Sequence, residues 1–120
     1  MIPSSVSVSP SFKTMKAFVA KAEIPEEKYS AAFQSRLGRE PWLQPYTDEV
    51  IKGMPAKGIK KLLVMCPAFV SDCLETLEEI GMRGKEDFVE AGGEELELVP
   101  CMNEHPRWLE AIEGLVRKQM

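Results

Sequence analysis

Histidine is nearly missing from this sequence: His105 is the one imidazole in 120 residues. It precedes Pro106 at the start of the last predicted helix, where a lone histidine reads as a surface or capping residue rather than a base or ligand. Ser35 and Ser71 have no histidine near them in sequence, and neither a GxSxG elbow nor a Gly-rich phosphate loop is present. Those absences speak against a serine nucleophile and a nucleotide cradle. Paired cysteines are also lacking. Cys66, Cys73 and Cys101 are odd in number and widely spaced, unlike the close pairs of thiolate metal sites. They read as reduced, buried thiols of a cytosolic protein. No apolar run reaches the roughly 18 residues that a spanning helix needs. No Lys/Arg run interrupts a net charge of −4, which argues against nucleic acid as a partner.

What is present, 44% hydrophobic and 28% charged residues, suits one soluble α/β-sized domain with a modest core. The first dozen residues, MIPSSVSVSPSF, are rich in Ser and Pro and are expected to be disordered. Residues up to Ala22 carry lysines and no acid, a faint presequence character, but they lack arginine and a clear amphipathic face. Met15, Phe18, Val19 and Ala22 predict a short helix closed by Pro25. Residues 1–23 are thus read as a disordered or weakly helical segment, and 24–120 as the domain.

Within the domain, YSAAFQ (29–34) reads as a strand, followed by a loop through SRLGREPW. Thr47 is the expected N-cap of a helix whose first turn carries Asp48 and Glu49 and which Pro55 and Gly58 end. The apolar run from Leu62 to Cys66 predicts a strand covered on both faces. A helix capped by Ser71 or Asp72 follows, with Gly81 and Gly84 as interruptions and Gly92-Gly93 as its stop. LELVPC (96–101) is the next strand. Trp108, Leu109, Ile112, Leu115 and Val116 fall on one face of a final helix. Strands alternating with helices imply a three-layer α/β fold around a short parallel sheet of three strands. So small a sheet leaves much open edge, and the chain reads as half of a larger fold.

Ligands of open α/β sheets sit beyond the carboxyl ends of the strands. Three loops reach that edge, at 35–45, 67–72 and 102–106. The middle one leads into SDCLETLEE, where Glu75 and Glu79 are one helical turn apart. Stacked carboxylates can accept protons or pass a divalent cation inward, and their repulsion is expected to raise the pKa of one of them. The competing reading makes Asp72 and Glu75 a capping box and Glu78 and Glu79 a solvated face. Trp42 and Phe69 can stack on a flat ligand or simply pack.

The stretches FQSRLGREPWLQPYTDEVI (33–51), KKLLVMCPAFVSDCLETLEEI (60–80) and EAGGEELELVPCMNEHPRWLEAI (90–112) resemble the C-terminal region of bacterial ferrochelatases, from Ile24 to Val116. The resemblance implies half of a two-lobed chelatase fold that holds protoporphyrin IX in a cleft. It implies ferrous iron as a substrate, inserted with release of two pyrrole protons in heme biosynthesis. By the same resemblance Glu75 is the acidic site residue facing the family's essential histidine and a metal contact. Glu79 continues the acidic line, while Ser35, Arg36 and Trp42 match the loop lining the porphyrin pocket; Phe69, placed at the cleft mouth by its position after the strand, is taken as a further substrate-binding residue. No permanently bound cofactor and no iron–sulfur cluster are implied. Ala68 replaces the glycine that the family commonly has after Pro67.

The histidine segment of the family is not in this sequence, and His105 does not occupy it. Three readings follow. The chain supplies the acidic wall of a ferrochelatase, assembled with a complementary half-domain or a second copy, as related small chelatases build a cleft from two subunits. Or it is a catalytically incomplete fragment, a tetrapyrrole-binding module. Or it is a folding unit without a ligand. A cytoplasmic location is implied, with peripheral membrane association left open.

Overall fold

Apolar periodicity and turn residues set nearly every boundary seen in the computed structural model, which describes residues 5–8, 12–34 and 45–120. In chain order the elements are β1 (Ser5–Val8), α1 (Phe12–Lys21), β2 (Tyr29–Ala31), α2 (Thr47–Gly53), β3 (Lys61–Met65), α3 (Leu74–Leu77), a π-helical segment (Glu79–Gly84), α4 (Lys85–Glu90), β4 (Glu95–Leu98) and α5 (Pro106–Gln119). Short 3-10 turns lie at Glu26–Lys28 and Pro55–Lys57.

The four strands form one parallel sheet in the order β2-β1-β3-β4. Along β3, buried Leu62 and Val64 alternate with half-buried Leu63, as the two-residue period of a strand requires. Leu62, Val64 and Leu96 join Ile51 and Met54, Ile80 of the π-segment and Phe88 of α4 in the larger core. Leu63 belongs to a second cluster with Met15 and Val19 of α1 and Tyr29 and Ala31 of β2. Helices therefore cover both sheet faces, giving the three-layer α/β half-fold that the pattern predicts.

Four differences from the sequence reading have physical causes. The segment expected to be disordered contributes β1, which pairs with β2 on one side and β3 on the other, so the sheet has four strands rather than three. Its Ser-Val-Ser-Val sequence lacks the continuous apolar run of a buried parallel strand; backbone pairing on both sides specifies it instead. Thr47 is not the N-cap of α2. That position belongs to Tyr46, whose carbonyl accepts the first helical N–H, from Val50, at 3.0 Å, while the Thr47 N–H donates to the Phe33 carbonyl at 2.9 Å in a parallel bridge between Phe33 and Tyr46.

The predicted helix after residue 72 is capped by Cys73, not Ser71 or Asp72, and is divided into α3, the π-segment and α4. In the π-segment the Arg83 N–H reaches back five residues to the Glu78 carbonyl at 2.8 Å; such wide turns occur frequently at functional sites. Finally, α5 forms as predicted, yet none of its residues is buried.

Candidate functional site

The strand order reverses direction between β1 and β3, the switch point at which doubly wound sheets open a crevice at their carboxyl ends. Two described loops border that edge, one leaving β3 and one leaving β4. Asp72 joins them. Its backbone N–H donates to Asn103 Oδ1 at 2.8 Å, while Asn103 Nδ2 and the Cys101 N–H donate to Asp72 Oδ2 at 2.8 and 3.2 Å. Thr76 Oγ1 donates to the other carboxylate oxygen at 2.9 Å. Asn103 has a φ of 45°, a left-handed conformation that asparagine tolerates better than most residues.

These donors, Asn103 foremost, hold the Asp72 carboxyl below its ordinary value of 3.8. A depressed folded pKa means the clamp contributes in full above the unfolded value and is lost as pH falls through the folded one. The urea midpoint of the wild-type chain should therefore fall on acidification below about pH 4, and Asp72→Asn should flatten that decline. An equally steep decline in the variant would assign the acid sensitivity elsewhere. Burial and the adjacent Asp72 carboxylate together push the Cys101 thiol up to about 11.

Because Asp72 is occupied by the clamp, it forms no capping box with Glu75. Thr76 takes that role, its hydroxyl accepting the Cys73 N–H at 3.0 Å. Glu75 is left in the first turn of α3, half-buried, with its Oε2 accepting from Cys73 Sγ at 3.0 Å. The thiol and the residue's own backbone N–H hold its carboxyl below the usual range. Repulsion was expected to raise the pKa of one acid of this stretch; at Glu75 the shift is downward, because donors to the charged form outweigh desolvation.

Glu79 opens the π-segment and lines a pocket of about 370 Å³ with Phe33, Thr47, Asp48, Lys52, Arg83 and Asp87 among others. Glu75 is not among the described residues lining this pocket. Pairs between Lys52 and Asp87 at 3.8 Å and Arg83 and Glu78 at 2.8 Å balance the acidic charge around Glu79. Phe69 is partly buried against the larger core, the packing alternative. Ser35, Arg36 and Trp42 lie outside the described residues. His105 caps α5, its Nδ1 accepting the Arg107 N–H at 3.2 Å.

Gln34 is the residue that sequence reading passed over. It is 9% exposed, and its Nε2 donates to the Glu75 carbonyl at 2.9 Å while its Oε1 accepts from Cys66 Sγ at 3.4 Å. It fastens the end of β2 to the turn that carries Glu75. The sequence carries no signal for it, because both partners lie far away along the chain. Gln34→Leu should destabilise the chain by about 1–3 kcal/mol, since it strands a carbonyl and a thiol. A thermal melt within error of wild type would show that water replaces the amide.

Around these loops Val70, Leu74 and Met102 are exposed at 44%, 75% and 42%, an apolar rim beside Glu75. Among the described residues no cluster of three His, Cys, Asp or Glu side chains forms a metal cage. No described helix is long and apolar enough to cross a membrane.

A family model described as Ferrochelatase matches residues 9–120. The chain is 59% identical over 105 residues to the ferrochelatase of Pseudomonas putida strain F1, covering 88% of this chain and 31% of that protein. It is 60% identical over 102 residues to that of Pseudomonas entomophila, covering 85% and 30%. The ferrochelatase of Pseudomonas aeruginosa PAO1 is 55% identical over 100 residues, covering 83% and 29%. The chain thus spans less than a third of the length of the curated relatives it matches. Among solved structures, a CbiX protein of Marinobacter aquaeolei VT8 superposes with a TM-score of 0.59 at 15% identity, covering 98% of this chain and 94% of that one. That likeness concerns the fold.

Proposed function

Since the chain belongs to the ferrochelatase family, we propose that it supplies the acidic wall of a porphyrin cleft in which Fe(II) replaces two pyrrole protons of protoporphyrin IX to give protoheme. The observation that carries this reading is Glu75: a half-buried carboxylate held ionised by a thiol, beside an exposed apolar rim, at the carboxyl edge of a parallel sheet. An ionised carboxylate is a hard oxygen ligand for a divalent cation and a transient acceptor for a departing proton. Val70, Leu74 and Met102 offer the apolar surface on which a flat macrocycle can rest.

In this reading each metal insertion releases two protons from the ring nitrogens. Glu75 orients the incoming ion and takes up a proton, and Glu79 relays charge toward its own pocket. Ser35, Arg36, Trp42 and Phe69 contribute to the porphyrin side, and the reaction takes place in the cytoplasm. His105, spent as a helix cap, does not supply an imidazole base, so that group comes from the partner that completes the cleft. The same fact favours a second reading, a tetrapyrrole-binding module without turnover.

The deciding experiment combines porphyrin absorbance titration with Zn(II) and Fe(II) insertion. It uses the chain alone and the chain together with the unmatched two-thirds of the Pseudomonas putida relative. Insertion only by the pair is the expected result. Porphyrin binding without insertion under any condition would select the binding module, and no spectral change even in the pair would sink both.

A further inference from the structure

The thiol that holds Glu75 is itself a metal-ligand type. Cys73 Sγ lies 3.0 Å from Glu75 Oε2, and both residues are half-buried at the start of α3, beside Leu74, which is 75% exposed. Two ligands that share an ion at a right angle, with bonds of about 2.3 Å to sulfur and about 2.1 Å to oxygen, stand about 3 Å apart. The pair therefore has the bite of a chelate with no rearrangement of the backbone. The neighbouring Asp72 does not compete, because the Asn103 amide, the Cys101 N–H and the Thr76 hydroxyl already bond its carboxylate. Nor do the other two thiols. Cys66 donates to Gln34 Oε1 at 3.4 Å and burial pushes it up to about 12, while Cys101 stands at about 11.

We propose that Cys73 is a specificity-determining residue for metal insertion: its sulfur joins the Glu75 carboxylate in retaining thiophilic divalent ions, Cd(II) above all, and so separates them from Fe(II). The proposal deepens the reading of Glu75 given above and rests on it. In the retained state the Cys73 S–H bond breaks, a sulfur–metal bond forms and the proton passes to solvent, with no change of oxidation state. Thiolate favours soft ions, whereas carboxylate alone suits hard ones. Fe(II) comes before Zn(II) in the rising affinity order of such sites, so it is held less firmly and can leave for the ring. Two ligands hold an ion without enclosing it, and the remaining positions stay with water or with the ring nitrogens. An orienting thiol can be replaced by a hydroxyl of similar reach. A ligating one cannot, since an alcohol keeps its proton where a thiol gives it up to the metal.

The test titrates Cd(II) into the 120-residue chain and follows the ultraviolet charge-transfer band of a cadmium–thiolate bond. Wild type should develop the band, and Cys101→Ala should leave it unchanged. Cys73→Ser, which keeps a good N-cap at the start of α3, should retain the melting curve and weaken Cd(II) binding by about tenfold or more. Wild type should hold Cd(II) against an equal concentration of Fe(II) without oxygen, and Cys73→Ser should lose that preference. No band in wild type, binding indifferent to Cys73→Ser, or an unchanged ion preference overturns the proposal. Cys73→Ala repeats the titration without the hydroxyl. A loss seen with alanine but restored by serine would reduce Cys73 to an orienting group and overturn the proposal as well. Insertion is read separately, with the chain joined by the unmatched two-thirds of the Pseudomonas putida relative. There Cd(II) should inhibit Fe(II) insertion by wild type at a concentration about tenfold or more below that needed with Cys73→Ser. A Cys73-dependent cadmium site in a pair that inserts no metal sinks the catalytic reading and keeps the ion selectivity. Turnover that Cd(II) inhibits equally in both does the reverse.

Discussion

Phe88→Ala should remove a large share of the chain's stability. The ring is 0% exposed and sits in the larger core among Ile51, Met54, Ile80 and Leu96, so it connects α4 to the sheet and to α2. Truncating such a ring costs about 3–5 kcal/mol, against a total stability on the order of 5–15 kcal/mol for a domain of this kind. Gly93 explains why the site cannot relax: a Cβ there would overlap the Phe88 ring, so backbone and ring are in direct contact. Gly93→Ala alone should cost about 1–3 kcal/mol by overpacking. In the double variant the new methyl enters the space the ring has left, so the two costs should add to less than their sum. Urea titrations followed by circular dichroism measure all three. Additive costs would mean that the ring and the glycine do not share one packing site.

Glu75→Gln should reduce metal insertion by the assembled cleft by about 10²- to 10⁴-fold, the usual weight of a positioned acid–base group, while leaving the melting curve of the chain unmoved. The amide keeps the volume of the side chain and can still meet Cys73 Sγ, but it cannot hold a cation or accept a proton. Porphyrin affinity should hardly change, since on the proposed reading the exposed apolar residues Val70, Leu74 and Met102 carry that contact. The thiol bond keeps the carboxyl below its usual range, so ionisation of Glu75 is complete at neutral pH. On the proposed reading it should limit metal insertion only in acid, as the pH drops through its depressed pKa. Insertion by Glu75→Gln at the wild-type rate would remove this residue from the chemistry.

The sequence showed those parts of the fold that are written in side-chain periodicity. The Leu62–Cys66 run and the apolar face of α5 are specified by their own residues, and both elements appear where predicted. β1 is not: four residues of alternating Ser and Val carry too little apolar area to declare themselves, and only their two neighbours make them a strand. The division of the central helix was half visible, since Gly81 and Gly84 signalled an interruption but not the wide turn that accommodates it. At the site, Glu75 was singled out by its spacing from Glu79 and by the family resemblance, whereas its bond to the Cys73 thiol was not anticipated. The Asp72–Asn103 clamp and the Gln34 bridge could not be read either, because each joins residues that only the folded topology brings together.

The central place of β1 also governs how this chain reaches its native state. Ser5 aligns with Leu62 and Val6 with Tyr29, so the sheet closes only when β1 makes both its pairing to β2 and the longest-range pairing of the sheet, to β3. High contact order slows folding. Until β1 arrives, β2 on one side and the β3–β4 ribbon on the other expose unpaired edges that can recruit a neighbouring chain. Growth at low temperature and low chain concentration should therefore raise soluble yield, because the species most prone to aggregate is the sheet waiting for its middle strand.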